Sequence, residues 1–273
     1  MHNAVFSGKL YEAEFGKLNK QIAGCFESGP GALPVDRRDK NVRAAIVPSC
    51  NYLVSGGAAA WAYKEIAETK FPEAYIIIGS TDLGTKTYLS LEDFETPLGL
   101  AKNMKMYLRE DDVVIDESIH RMERGIEIQL PFLQHISKER FDNVRIMPVL
   151  VGNSDLDSLR GIANAISRIN KKYIVIASCN LSYYGDRLWK VPFRYNIGEE
   201  IKAADMNIIE LITNGDLEGF WKLATRFNMR DRGVICVLLE ILRGRSGRLL
   251  MYDDSKKFTG TDNFISYCSM VFE

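Results

Sequence analysis

Histidine is nearly missing from this chain: His2, His120 and His135 are the only ones in 273 residues, and none stands in a strand-end motif. A metal centre built on imidazoles therefore lacks its usual donors. No stretch approaches the ~20 apolar residues that span a bilayer. The opening MHNAVFSGKLYEAEF has no signal-peptide core, so a cytoplasmic location is expected. Neither sign of charge is in excess: 35 Lys and Arg against 36 Asp and Glu leave a formal charge of −1. Nothing in that balance draws nucleic acid or an anionic membrane, and neither is expected as a partner. The one basic cluster, Arg243, Arg245 and Arg248 with Arg230 and Arg232 upstream, reads as a solvated surface. Five cysteines, Cys25, Cys50, Cys179, Cys236 and Cys268, are odd in number and scattered, and they form no CxxC. Reduced thiols are expected, without a disulfide framework. GxGxxG and Walker loops are absent as well, and Gly56-Gly57 ahead of an Ala-rich run reads as close helix-to-sheet packing.

What is present is a large apolar fraction, 46%, enough for one core. A single domain over residues 1–273 is expected. Apolar runs at 43–47 (RAAIV), 75–78 (YIII) and 173–177 (YIVIA) predict buried strands. Shorter strands are expected at 88–91 and at 145–151 (RIMPVLV), the latter bulged or near an edge because of its proline. Helical spacing predicts helices over 57–70, 125–136, 156–169, 197–213, 217–227 and 233–243. Residues 249–252 and 263–272 alternate as a closing antiparallel pair. The pattern implies an α/β fold: a central sheet, mostly parallel or mixed, with helices on both faces. Ligands of such folds bind where strands end and loops diverge.

Three such loops read Pro48-Ser49-Cys50-Asn51-Tyr52, Gly79-Ser80-Thr81-Asp82-Leu83 and Ser178-Cys179-Asn180-Leu181-Ser182-Tyr183-Tyr184-Gly185. With Ser55-Gly56, Glu95-Thr96-Pro97-Leu98-Gly99, Glu127-x-Gln129-x-Pro131-Phe132-Leu133 and Ile235-Cys236 in the same order, the chain resembles the MEMO family, relatives of the LigB-type class III extradiol dioxygenases. The resemblance covers most of the chain. It implies a LigB/MEMO-like fold and a pocket at Ser49, Asp82, Arg124, Asn180, Tyr183 and Cys236, with Cys50 and Cys179 nearby. It also exposes departures. Ser49, Asp82 and Arg124 stand where the family carries histidines, and Asn180 and Tyr183 replace an Asp and a His.

A thiol and a carboxylate are then the remaining metal donors, fewer than the roughly three an iron or zinc centre requires. No cofactor is expected; a bound metal would be iron, copper or zinc near Asp82 and Cys236. An ion pair between Asp82 and Arg124, with neutral bonds from Ser49, Asn180 and Tyr183, is expected to fill the pocket. The alternative has Arg124 turned outward and Asp82 capping a turn. Cys50, Cys179 and Cys236 read either as a soft-metal cluster or as small buried hydrophobes. Glu123 and Glu127, one helical turn apart, read as structural acids, and His120 and His135 as surface or satisfied core residues. The function expected is a non-catalytic scaffold or ligand-binding protein with a degenerate metal site and an unidentified protein or small-molecule partner. The competing expectation is a metal-dependent oxidoreductase rebuilt around Asp82 and Cys236, or a metal-free enzyme using Tyr183 as an acid.

Overall fold

The computed structural model describes residues 1–185 and 195–273. The chain runs through α1 (Phe15–Ser28), β1 (Ala44–Val47), α2 (Tyr52–Ala67), β2 (Ala74–Ser80), β3 (Thr87–Leu89), β4 (Phe94–Thr96), β5 (Gly99–Ala101) and β6 (Val113–Ile115). Next come α3 (Glu117–Met122), α4 (Arg124–Glu127), α5 (Leu130–Ser137), β7 (Arg145–Val151), α6 (Leu156–Ser167), β8 (Tyr173–Ser178) and β9 (Tyr183–Tyr184). It closes with α7 (Ile197–Thr213), α8 (Leu217–Arg226), α9 (Arg232–Leu242), β10 (Gly247–Asp254), α10 (Lys256–Thr259) and β11 (Phe264–Phe272).

Alternation along the strands explains why helices cover both faces. Ala45, Val47, Tyr75, Ile77, Ile174 and Ile176 join the core that carries α1, α2 and α5. Their neighbours Ala44, Ile46, Ile76, Ile78, Val175 and Ala177 join the core that carries α6 to α9. A strand buried on both sides is apolar along its covered length, as the expected runs are once the exposed Arg43 is left outside β1. The sheet order is β10-β11-β1-β8-β2-β7-β3-β6, with β9 paired to β11. β1, β8, β2 and β7 are mutually parallel, whereas β11 pairs antiparallel with β1 and β10, and β3 antiparallel with β7. The sheet is therefore mixed. Among the described residues, no helix is long and apolar enough to cross a membrane.

Several local expectations change. The helix expected over 125–136 is broken into α4 and α5, because Pro131 has no N–H to continue the ladder. β7 lies inside the sheet, and Pro148 pairs with Ile77 without a bulge. The β3 ladder starts only at Val149, so Pro148 falls outside it on that side and its missing donor breaks no bond there. Gly56 and Gly57 of α2 admit a helix, not the sheet: a Cβ on Gly56 would overlap the Cys25 Sγ of α1, and one on Gly29 the Gly57 carbonyl. Two further elements are not among those expected: α1, whose buried Leu18, Ile22, Cys25 and Phe26 follow helical spacing, and the β4–β5 hairpin, which contains the Glu95 to Gly99 motif.

Candidate functional site

Parallel register places the ends of β1, β8 and β2 at one edge of the sheet: Val47 pairs with Ser178, and Ile78 with Ala177. Their loops therefore meet, and Asn180 sits at the junction, 1% exposed. Its Oδ1 accepts from the Ser49 N–H at 3.1 Å and the Cys50 thiol at 3.4 Å. Its Nδ2 donates to Ser49 Oγ at 2.9 Å and to the Tyr183 hydroxyl at 2.8 Å. Its backbone N–H donates to Asp231 Oδ2 at 2.7 Å. Asp231, buried at the entry to α9, also accepts from the Tyr183 hydroxyl at 3.0 Å and from Ser80 Oγ at 2.5 Å. Burial, then the Asp231 charge, pushes the Tyr183 phenol well above its ordinary value, which keeps it a donor at neutral pH.

Arg230 lies beside this network. Its Nε is 2.8 Å from Asp82 Oδ2 and its Nη2 is 3.8 Å from Glu123 Oε2, while the guanidinium carbon stands 5.9 Å from the Tyr183 ring centroid. The Nε–H does not point along a hydrogen bond, so the Asp82 contact is one of charge. Burial works against the cation, but Asp231, Tyr183, Asp82 and Glu123 outweigh it and raise Arg230 above its ordinary value. Glu123 also accepts from Thr81 Oγ1 at 2.8 Å. Burial raises its pKa against the pull of Thr81 and Arg230. Outside these groups a cleft of about 340 Å³ opens, lined by Ser80, Thr81, Asp82, Asn153, Asn228 and Arg230 among others.

The structure thus brings together Ser49, Asn180, Tyr183 and Cys50, as expected, and corrects three assignments. The expected Asp82 to Arg124 pair does not form: Asp82 pairs with Arg230, and Arg124 Nε donates to the Ser49 carbonyl at 2.8 Å. Arg124 opens α4 while Glu123 before it is extended, so the two side chains diverge and it is Glu123 that faces Arg230. Cys236 lies inside α9 in the apolar core, its thiol pushed up to about 12 by burial. The residues of that segment that reach the pocket precede the helix, Arg230 and Asp231. Arg230 accordingly belongs to the pocket and not to a solvated patch. Sequence reading missed Asp231 altogether, although an acidic residue opening an apolar helix was a visible signal.

The thiols do not gather. Cys50 bonds Asn180, its thiol pKa pushed up to about 11 by burial, while Cys179 packs in the core that holds α9 and donates to the Ala177 carbonyl at 3.8 Å. Among the described residues no three His, Cys, Asp or Glu side chains group closely enough to hold a metal ion. As a donor set the pocket does not fit iron, copper or zinc: Ser49 and Asn180 spend their polar atoms on each other, and a guanidinium, which has no lone pair to give, occupies the acids. Glu127 is structural, accepting from the Val5 and Phe6 N–H groups at 2.9 and 2.8 Å and from the Tyr11 hydroxyl at 2.6 Å.

A family model described as Memo-like protein matches residues 2–271. A MEMO1 family protein of Pyrococcus abyssi is 31% identical over 255 residues, covering 85% of this chain and 87% of its own length. One from Methanosarcina barkeri is 29% identical over 289 residues and spans 100% of both chains. A third, from Pyrococcus furiosus, is 28% identical over 294 residues, 99% of this chain and 98% of its own.

Proposed function

Because the chain belongs to the Memo-like family, we propose that it retains the family scaffold but works as a non-catalytic scaffold or ligand-binding protein, without a resident metal or cofactor. One observation carries this reading. The Arg230 guanidinium occupies the acidic cluster of Asp82 and Glu123, beside a network in which Ser49, Asn180, Tyr183 and Asp231 satisfy one another. A permanent cation held among carboxylates supplies the charge that a metal would otherwise supply, and it neither exchanges nor changes oxidation state. The polar cleft beside Arg230 has the size of a small-molecule site and presents both donors and acceptors to a ligand.

The competing reading is a metal-dependent oxidoreductase built on Asp82 and Cys236. It requires Asp82 to leave Arg230 and the buried Cys236 thiol to ionise in an apolar core, two costs that the present arrangement avoids. Elemental analysis of purified, dialysed protein separates the two. Iron, copper and zinc are expected far below one equivalent per chain. A near-stoichiometric metal that disappears in Asp82→Ala would overturn the proposal and establish the metal-dependent reading.

A further inference from the structure

A second cleft, of about 440 Å³, opens between the α1–β1 loop and the turn that follows α5. Its walls carry three permanent cations, Arg38, Lys138 and Arg140, and one carboxylate, Asp36. Two of the cations share a platform: the Arg38 guanidinium lies 3.8 Å from the centroid of the Phe71 ring and that of Arg140 lies 5.3 Å from it. Like charges stacked on one ring repel each other unless an anion joins them. Among the described residues no carboxylate forms an ion pair with Lys138 or Arg140, although the chain pairs many of its other cations. Burial, with Arg140 beside it, holds Arg38 below its ordinary value. His135 on the same wall is held neutral by burial and by Lys138, its Nδ1 lying 2.9 Å from Asn19 Oδ1.

A further observation concerns Lys138. Lys138 adopts φ 45° and ψ −131°, a conformation that favours glycine, so a long cationic side chain is kept where glycine would be easier.

We propose that this cleft binds the phosphate group of a small phosphate monoester, with Arg38 and Arg140 gripping its oxygens and Lys138 closing over it. Three cations less one carboxylate leave a charge near +2, which matches a phosphate monoester of roughly −1.5 to −2 better than a singly charged carboxylate. Planar guanidiniums suit its paired oxygens. The apolar rim of Leu33, Pro34 and Val35 leaves room for the organic part. This site is separate from the Arg230 pocket and does not depend on its reading.

Isothermal titration calorimetry with glycerol 3-phosphate and with inorganic phosphate tests it; phosphate stabilises proteins generally, so heats are read instead of melting shifts. The ester is expected to give saturable heat at or below ~1 mM, and the free ion a weaker one. Arg140→Gln should weaken the ester about tenfold, and Asp36→Asn should strengthen it. Lys138→Gly should weaken it while raising the melting temperature of the ligand-free protein, which distinguishes lost binding from lost folding. Absence of saturable heat from the ester, or equal affinity in Arg140→Gln, overturns the proposal. Tighter binding of inorganic phosphate than of the ester assigns the cleft to the free ion and overturns the monoester.

Discussion

His120 shows how a single buried side chain couples this protein to pH. It is 1% exposed, with Nε2 at 3.1 Å from the Tyr88 carbonyl oxygen and Nδ1 without a partner. Burial lowers its pKa from 6.5 to about 4, with His2 adding to the effect and the Tyr88 carbonyl and Asp116 opposing it. Between those two values the unfolded chain binds a proton that the folded chain refuses. The neutral imidazole's contribution is therefore present above pH 6.5 and is lost as the pH falls through about 4. The amount is about 3 kcal/mol. Urea titrations across that range should show His120→Asn losing less stability on acidification than the native protein, whatever its stability at neutral pH. Parallel curves would show that His120 is not the group responsible.

At the scale of the element, the packing of α1 on α2 depends on two glycines that fail differently when changed. A Cβ at Gly56 meets the Cys25 side chain, whereas a Cβ at Gly29 meets the backbone carbonyl of Gly57, which has nowhere to go. Gly56→Ala is expected to cost roughly 1–3 kcal/mol, with part of that recovered when Cys25→Ala clears the space. Gly29→Ala should cost more and gain nothing from Cys25→Ala. A double-mutant cycle in chemical denaturation measures the coupling; additive values would mean that Cys25 and Gly56 are not in competition for that space.

Across the whole molecule, Asp231 joins parts of the chain that are far apart in sequence: Ser80 at the end of β2, Asn180 after β8 and Tyr183 in β9. Removing it leaves three donors short of an acceptor and takes a neutralising charge from Arg230. Asp231→Ala is expected to cost about 3–5 kcal/mol. Asp231→Asn should cost less, because an amide keeps most of the bonding geometry and loses only the charge. Equilibrium unfolding reads both, and a loss under about 1 kcal/mol for the alanine variant would remove Asp231 from its place as the organiser of the site.

The alternating and continuous apolar runs determined most of this architecture by themselves. β1 and the stretches 74–78 of β2 and 173–177 of β8 are predominantly apolar because both faces are covered, and the C-terminal strands pair antiparallel as their alternation predicts. The strand-end loops marked the sheet edge, since parallel strands deliver their loops to one side, and the family resemblance named Ser49, Asn180 and Tyr183 within them. Tertiary structure alone decided which charges face each other there. Arg124 and Glu123 are adjacent in the chain yet diverge at a helix start, and Arg230 comes from 148 positions beyond Asp82 to take the partner that Arg124 was expected to hold. Hydrophobic burial is written locally, in the period of each segment. The choice of counter-ion depends on side-chain direction and reach across separate elements, and only the assembled fold sets those.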